Sequence, residues 1–134
     1  MANWLFKEEP THYNYDDLVR DGKTSWTGVR NPLAQKHLRA VRKGDRIFYY
    51  HTGKEKAVVG IAKAAGAAYP DPEDKSGKLY AVDVVPVKKL EAPVTLAAIK
   101  ADKAFADFPL TRMPRLSVMP VDDETWDRIL AMAG

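Results

Sequence analysis

Three strand-forming segments follow one another in the middle of the chain, with no helix-forming segment between them. Asp45–His51 and Leu79–Val87 are rich in β-branched and aromatic residues, and Val58–Ala68 lies between them. Parallel neighbours would need a long crossover between strands, usually a helix, and no such segment lies here. This order argues against a doubly wound fold and predicts a mostly antiparallel, barrel-like sheet. Pro86 indicates that the third segment lies at a sheet edge or ends there.

Shorter segments on both sides of this block complete an α+β pattern. Trp4–Phe6 is an apolar run typical of a first strand, and Leu116–Val118 is typical of a last one. Capping residues and apolar spacing indicate four helices, which begin near Asn14, Asn31–Pro32, Thr95 and Pro120. We therefore expect one domain over residues 1–134, with a five- to six-stranded barrel-like sheet and short helices packed around it.

The composition limits the chemistry that the chain can perform. It has 134 residues, of which 46% are hydrophobic, so it can bury one core without a metal or disulfide. The sequence has no cysteine, which excludes disulfides, thiolate metal sites and cysteine nucleophiles. No uncharged stretch approaches the length of a membrane span, and the first residues lack a signal-peptide pattern. We expect a cytoplasmic domain that makes no membrane contact.

Residue patterns typical of catalytic or cofactor sites are missing. The three histidines, His12, His37 and His51, lack the spacing of metal ligands. The serines have no nucleophile-elbow context, and the glycines never form a phosphate-binding loop. We therefore expect no catalytic residue, no metal and no cofactor.

Positive charge is concentrated in the first half of the chain, although the net charge is only +3. Residues 1–56 carry 11 Lys and Arg against 7 Asp and Glu, whereas residues 57–134 carry 10 against 11. Between residues 30 and 46, six basic residues occur with a single acidic residue, Asp45. They are Arg30, Lys36, Arg39, Arg42, Lys43 and Arg46. Such a cluster is typical of a polyanion-binding surface or of a solvated helix face.

Aromatic residues lie close to this basic cluster in sequence. Trp26 occurs in the polar segment Thr24–Asn31, so its ring must be covered either by a flat ligand or by the edge of the core. Tyr49 and Tyr50 are consecutive on a predicted strand and face opposite sides of it, so one can pack in the core while the other lines a mouth or surface. Proteins usually bind a base by stacking it on an aromatic ring and bind its phosphate with nearby cations.

Several segments resemble, in the same order, the EVE domain family. They are Trp4–Pro10, Trp26–Asn31, Gly44–His51, Val59–Ala62, Ala68–Pro72, Val82–Val84 and Arg115–Val118. The resemblance covers about residues 3–130. It implies a PUA-like β-barrel, related to the YTH and ASCH domains. It also implies recognition of a modified base in DNA or RNA, modified cytosine first, which is flipped into an aromatic pocket.

The resemblance further implies a set of site residues by position. The base-binding pocket would consist of Lys7, Glu8, Trp26, Thr27, Gly28, Val29, Asn31, Tyr50, His51, Leu79, Arg115 and Ser117. Phosphates would be bound by Arg30, Lys36, Arg39 and Arg112. Trp26 would be the principal stacking wall. Two positions depart from the family pattern, because Glu8 replaces a serine and Leu79 replaces a tryptophan found in many members.

These observations predict a monomeric, non-catalytic reader of a modified base, with DNA or RNA as its partner. Such a reader would be associated with nucleoid or ribonucleoprotein in the cytoplasm. An alternative is an enzyme that acts on a nucleobase in the same pocket, with Glu8 or His51 as its acid or base. A second alternative is a module that binds a small molecule or peptide there.

Overall fold

A computed structural model describes residues 1–133 of the chain. These residues form seven strands, namely β1 (Asn3–Glu8), β2 (Thr24–Trp26), β3 (Arg46–His51), β4 (Ala57–Ala64), β5 (Tyr69–Pro70), β6 (Tyr80–Thr95) and β7 (Val118–Val121). The α-helices are α1 (Tyr15–Asp21), α2 (Pro32–Arg39), α3 (Leu96–Ala101), α4 (Pro109–Arg112) and α5 (Asp123–Met132), with a 3₁₀ turn at Lys103–Phe105. Among them, no helix is long and apolar enough to cross a membrane.

The strands pair in the order β2-β6-β4-β3-β1-β7, and β5 pairs with the start of β6. Of the described pairs, only β1 and β3 run parallel, and the others are antiparallel. The sheet curls into a half-barrel with the short helices around it, which confirms the predicted α+β, PUA-like architecture. The strand count exceeds the expected five to six because β2 and β5 are too short to give an alternating pattern.

Strand β1 lies in the sheet between β3 and β7, and Trp4, Leu5 and Phe6 are all buried. Burial on both faces explains why this segment is a continuous apolar run rather than an alternating one. Its last two residues, Lys7 and Glu8, pair with Tyr50 and His51 of β3 and are only half-buried. The strand therefore delivers one cation and one carboxylate to the rim of the sheet.

Strand β6 is much longer than the predicted Leu79–Val87. Pro86 does not end it, because β2 pairs only with Val82–Val84 and leaves one side of the strand free from there on. On the other side Pro86 pairs with Ala62 of β4, next to a register shift. The edge alternative for Pro86 is therefore correct and the end alternative is wrong.

Helix starts agree with the predicted caps except at the end of the chain. Asn14 forms a capping box with Asp17, and Asn31 caps α2 with proline at its first position. Helix α5 begins at Asp123 rather than at Pro120, because Pro120 pairs with Trp4 in β7. The last strand is accordingly shifted to Val118–Val121 from the predicted Leu116–Val118.

Candidate nucleic-acid interface

A cavity of about 560 Å³ opens where four segments meet at the rim of the sheet. The segments are the end of β1 with the loop after it, the end of β2 with the loop after it, the loop between β5 and β6, and the residue before β7. Eight of the twelve predicted pocket residues line it, namely Lys7, Glu8, Trp26, Thr27, Gly28, Val29, Leu79 and Ser117, together with the predicted phosphate ligand Arg30. Four further residues that the sequence did not indicate also line it, namely His12, Asp71, Glu73 and Asp74.

The indole of Trp26 forms one wall of this cavity and is also part of the core. It is 6% exposed, and its ring lies 5.3 Å from that of Phe6 and 5.4 Å from that of Tyr49, centroid to centroid. The Tyr49 contact is edge-to-face, with an interplanar angle of 88°. The two alternatives for Trp26 are thus not exclusive, because a ring clamped by the core can present a rigid surface to the cavity.

The loop that follows β2 is held by a buried carboxylate. Gly28 has a left-handed backbone with φ of +72°, and its N–H donates to Asp71 Oδ2 at 3.0 Å. Asp71 is 3% exposed, and its other oxygen accepts from the Glu73 N–H at 2.8 Å. Asp71 lies in a segment that carried the resemblance, but its partner 43 residues away is visible only in the fold.

A second buried side chain, Gln35 of α2, fixes the same wall from behind. Its amide donates to the Val29 carbonyl at 2.6 Å and to the Tyr80 carbonyl at 3.1 Å, and it accepts from the Tyr80 N–H at 2.9 Å. Gln35 thereby ties the loop after β2 to the start of β6. No signal in the sequence singles it out, because its partners are backbone atoms, and Tyr80 lies 45 residues away.

At the end of β1, Lys7 and Glu8 are oriented by different neighbours. Lys7 Nζ donates to the Pro114 carbonyl at 3.0 Å and lies 5.7 Å from the centroid of the Tyr50 ring. Partial burial lowers the pKa of the Lys7 ammonium below its usual value. Glu8 Oε1 accepts from the Glu9 N–H at 2.9 Å and lies 3.3 Å from Nδ1 of the exposed His12.

Four predicted pocket residues are not among those that line the cavity in the described part of the chain. Asn31 uses its side-chain oxygen to cap α2, accepting from Ala34 N at 3.0 Å, and Arg115 is exposed beyond the lining. His51 accepts from the Tyr15 N–H through Nε2 at 3.1 Å and turns Nδ1 to Glu55 Oε1 at 2.7 Å.

Tyr50 is the fourth of these residues, and it is 2% exposed beneath Lys7. The expectation that one of the two consecutive tyrosines lines a mouth or surface is wrong, because Tyr49 is buried as well. Strand β3 lies in the middle of the sheet, between β1 and β4, and both of its faces are covered.

A family model for the EVE domain matches residues 2–132. The chain belongs to the EVE domain family. Human thymocyte nuclear protein 1 is 32% identical over an alignment that covers 98% of this chain and 73% of that protein. An NMR structure of a Rhodopseudomonas palustris protein is 48% identical, with a TM-score of 0.95 over 100% of this chain and 94% of that one. The crystal structure of human THYN1 in complex with DNA containing 5-methylcytosine is 30% identical, with a TM-score of 0.90 over 99% and 98% of the two chains.

The predicted phosphate ligands of this EVE domain differ in their surroundings. Arg30 lines the cavity, and Lys36 and Arg39 follow on the exposed face of α2. The Arg39 guanidinium lies 5.9 Å from the centroid of the Tyr80 ring. Arg112 on α4 is paired with Asp107 at 3.0 Å. Three of the four cations therefore follow one another from the cavity along α2, and the fourth is already partly neutralised.

The lining of the cavity in this EVE domain is acidic. Four carboxylates face two permanent cations, Lys7 and Arg30. Hydrogen bonds from the Leu79 backbone and the Ser76 side chain lower the pKa of Asp74 to about 2, so its carboxylate is ionised at neutral pH. Within residues 1–133, no group of three or more His, Cys, Asp or Glu side chains is arranged to hold a metal ion.

Proposed function

We propose that this EVE domain is a non-catalytic reader that holds a modified base of DNA, 5-methylcytosine first, against the Trp26 indole. The observation that carries the proposal is the placement of that ring. It forms a wall of an open cavity of about 560 Å³, which is within the usual range for ligand pockets. The complex of human THYN1 with DNA containing 5-methylcytosine, on the same fold, supports it.

Stacking alone does not repay the extraction of a base from a duplex. Flipping costs a few kcal/mol, and stacking on an aromatic ring returns about 1–3 kcal/mol per base. The remainder has to come from polar contacts and from phosphate neutralisation. In our proposal Glu8 accepts a hydrogen bond from the exocyclic amino group of cytosine, while Thr27 and Ser117 bind the other polar atoms. In the same proposal, the phosphates of the DNA backbone are contacted by Arg30, Lys36 and Arg39.

The residues outside the lining have supporting roles in this proposal. Tyr50 lies beneath Lys7 and Asn31 starts the helix that carries Lys36 and Arg39. His51 is ill suited to acid–base chemistry in the cavity, because both of its nitrogens are engaged on another side of the fold. We expect no product to form from the bound base.

The test is a comparison of duplexes that differ at a single base. Fluorescence anisotropy is measured with a DNA duplex that contains one 5-methylcytosine, with the unmodified duplex, and with the matched RNA. Burying one methyl group contributes about 0.8 kcal/mol, so we expect methylated DNA to bind about fourfold or more tightly than unmodified DNA. Equal affinities for methylated and unmodified DNA contradict the proposal. A higher affinity for the RNA than for the DNA would assign RNA as the partner.

Trp26→Leu removes the flat ring and keeps an apolar side chain at the wall. We expect it to lose about 1–3 kcal/mol of binding to the methylated duplex, the value of stacking one base. Trp4→Leu is the matched control, because Trp4 is also 6% exposed but does not line the cavity. Both variants are checked for folding by circular dichroism, and equal losses of binding contradict a stacking role for Trp26.

One observation favours an enzyme as the second candidate. Glu8 and His12 form a carboxylate–imidazole pair at the cavity, with 3.3 Å between Oε1 and Nδ1. Mass spectrometry of the methylated oligonucleotide after incubation with the protein tests it. A change in mass that Glu8→Gln abolishes establishes the enzyme, and an unchanged oligonucleotide supports the reader.

A further inference from the structure

The charge of the cavity is opposite in sign to that of the whole protein. The net charge of the chain is +3, yet four carboxylates line the cavity against two permanent cations. These carboxylates belong to Glu8, Asp71, Glu73 and Asp74. A ligand that enters therefore meets an acidic lining, although the chain as a whole carries net positive charge.

Three of the four carboxylates are fixed in place by hydrogen bonds. Asp71 accepts from the backbone of Gly28 and Glu73. Asp74 accepts from the N–H groups of Ser76, Lys78 and Leu79 at 2.7–3.1 Å. Glu8 accepts from the Glu9 N–H and faces His12. Because turning away would break these bonds, the negative charges stay at the wall when a ligand enters.

The two cations do little to offset this charge inside the cavity. Lys7 directs its ammonium to the Pro114 carbonyl, and the Arg30 side chain is exposed to solvent, which weakens its field in the cavity. Salt screens interactions between partly buried charges much less than those between fully exposed ones, so the repulsion of an anion by this lining persists at physiological salt.

We propose that the acidic lining selects among modified bases, admitting neutral ones that carry hydrogen-bond donors and excluding anionic ones. The inference rests on the proposed function and names the ligand class of the same cavity. An amino group on the base gains from a carboxylate acceptor. A carboxylate on the base loses its hydration on entry and meets like charges, and both effects weaken its binding.

The experiment uses three DNA duplexes that are identical except at one cytosine. The base carries at C5 a methyl group, a carboxylate, or the corresponding primary amide, which has nearly the same shape as the carboxylate but no charge. We expect the amide to bind within about threefold of the methylated duplex and the carboxylate to bind about tenfold more weakly than the amide. Equal binding of the amide and the carboxylate overturns the inference.

A pair of variants separates local charge from total charge. Glu73→Gln removes an exposed carboxylate of the lining whose side chain has no hydrogen bond among residues 1–133. Glu91→Gln makes the same change on β6, outside this cavity. We expect Glu73→Gln to reduce the ratio of the affinity for the amide duplex to that for the carboxylate duplex about threefold. We expect Glu91→Gln to leave this ratio unchanged. Equal effects of the two variants contradict the inference.

Failure of the inference and failure of the proposed function give different results. If the methylated duplex is preferred over the unmodified one while carboxylate and amide bind equally, the reader stands and the charge selection falls. If methylated and unmodified duplexes bind equally, the proposed function fails, and the selection among bases fails with it.

Discussion

Asp71 and Gly28 are joined across 43 residues of sequence by a hydrogen bond from the Gly28 N–H to Asp71 Oδ2, with 3.0 Å between the two atoms. The bond connects the loop that follows Trp26 with the loop that carries three of the four acidic lining residues. Both loops contribute to the cavity, so we expect this carboxylate to act as a positioning residue for the site.

Replacing Asp71 by alanine removes the carboxylate that accepts from the Gly28 and Glu73 N–H groups. A hydrogen bond to a charged group contributes about 1.5–3 kcal/mol, and we expect a loss of that order in the free energy of unfolding. Urea denaturation measures the loss, and anisotropy measures the accompanying loss of base discrimination. Asp71→Asn keeps one acceptor oxygen and should recover part of both. A variant as stable and as selective as the original would show that this bond does not position the site.

Gln35→Leu tests the second support of the cavity wall. The substitution keeps the apolar bulk of the side chain and removes its three bonds to Val29 and Tyr80. We expect the free energy of unfolding to fall by about 1–3 kcal/mol, because buried backbone groups lose their partners. The adjacent exposed Lys36→Leu is the control, for which we expect a change within about 0.5 kcal/mol. Equal changes in the two variants would rule out a special role for Gln35.

Local patterns in the sequence predict most of the elements but little of the way in which they meet. The apolar run of β1 and the caps at Asn14, Asn31 and Thr95 depend on neighbouring residues, so they are readable from sequence. Strand β2 has three residues and β5 has two, which is too few for a periodicity to emerge.

The candidate site likewise has residues that the sequence indicates and residues that only the fold brings together. The resemblance, which spans nearly the whole chain, implies twelve pocket residues, and eight of them line the cavity. His51 is among the twelve, yet the ring nitrogens of this residue face Tyr15 and Glu55. Asp71 and Gln35 bond to backbone atoms more than 40 residues away, and only the folded chain brings these atoms within reach.

Gly60 lies in β4 against the ring of Tyr15. A Cβ atom added there would lie 2.5–2.7 Å from three ring carbons, which is closer than real contacts allow. Because Tyr15 is buried and its hydroxyl donates to Ile61, the ring has little room to move, and we expect Gly60→Ala to cost about 1–3 kcal/mol. Gly66→Ala is the control, because nothing lies within 4 Å of its added Cβ. Thermal denaturation of both variants measures the difference, and equal melting temperatures would contradict the steric argument.

Substitution of Lys36 and Arg39 tests the proposed phosphate contacts of α2. Each phosphate contact contributes about 0.9 to the slope of log affinity against log salt concentration, so a double change to alanine should lower this slope by about two. We expect methylated and unmodified DNA to lose affinity equally, because phosphates carry no base identity. Arg112→Ala is the comparison, and its effect should be smaller because Asp107 already neutralises this side chain. A loss confined to the methylated duplex would assign these cations to base recognition instead.

The carboxyl group of Asp74, in the loop before β6, should make the free energy of unfolding depend on pH in the acid range. Hydrogen bonds from Leu79 and Ser76 lower the pKa of this carboxyl from 3.8 to about 2 in the folded protein. A depressed folded-state pKa contributes stability above the unfolded pKa, and this contribution is lost as the pH falls from about 4 to about 2. Asp74→Asn should therefore lower the free energy of unfolding at pH 7 and flatten its fall over that acid range. Urea titrations at stepwise pH measure both effects. If the variant kept the full acid dependence, another carboxyl would have to cause it, and the loop would not depend on the charge of Asp74.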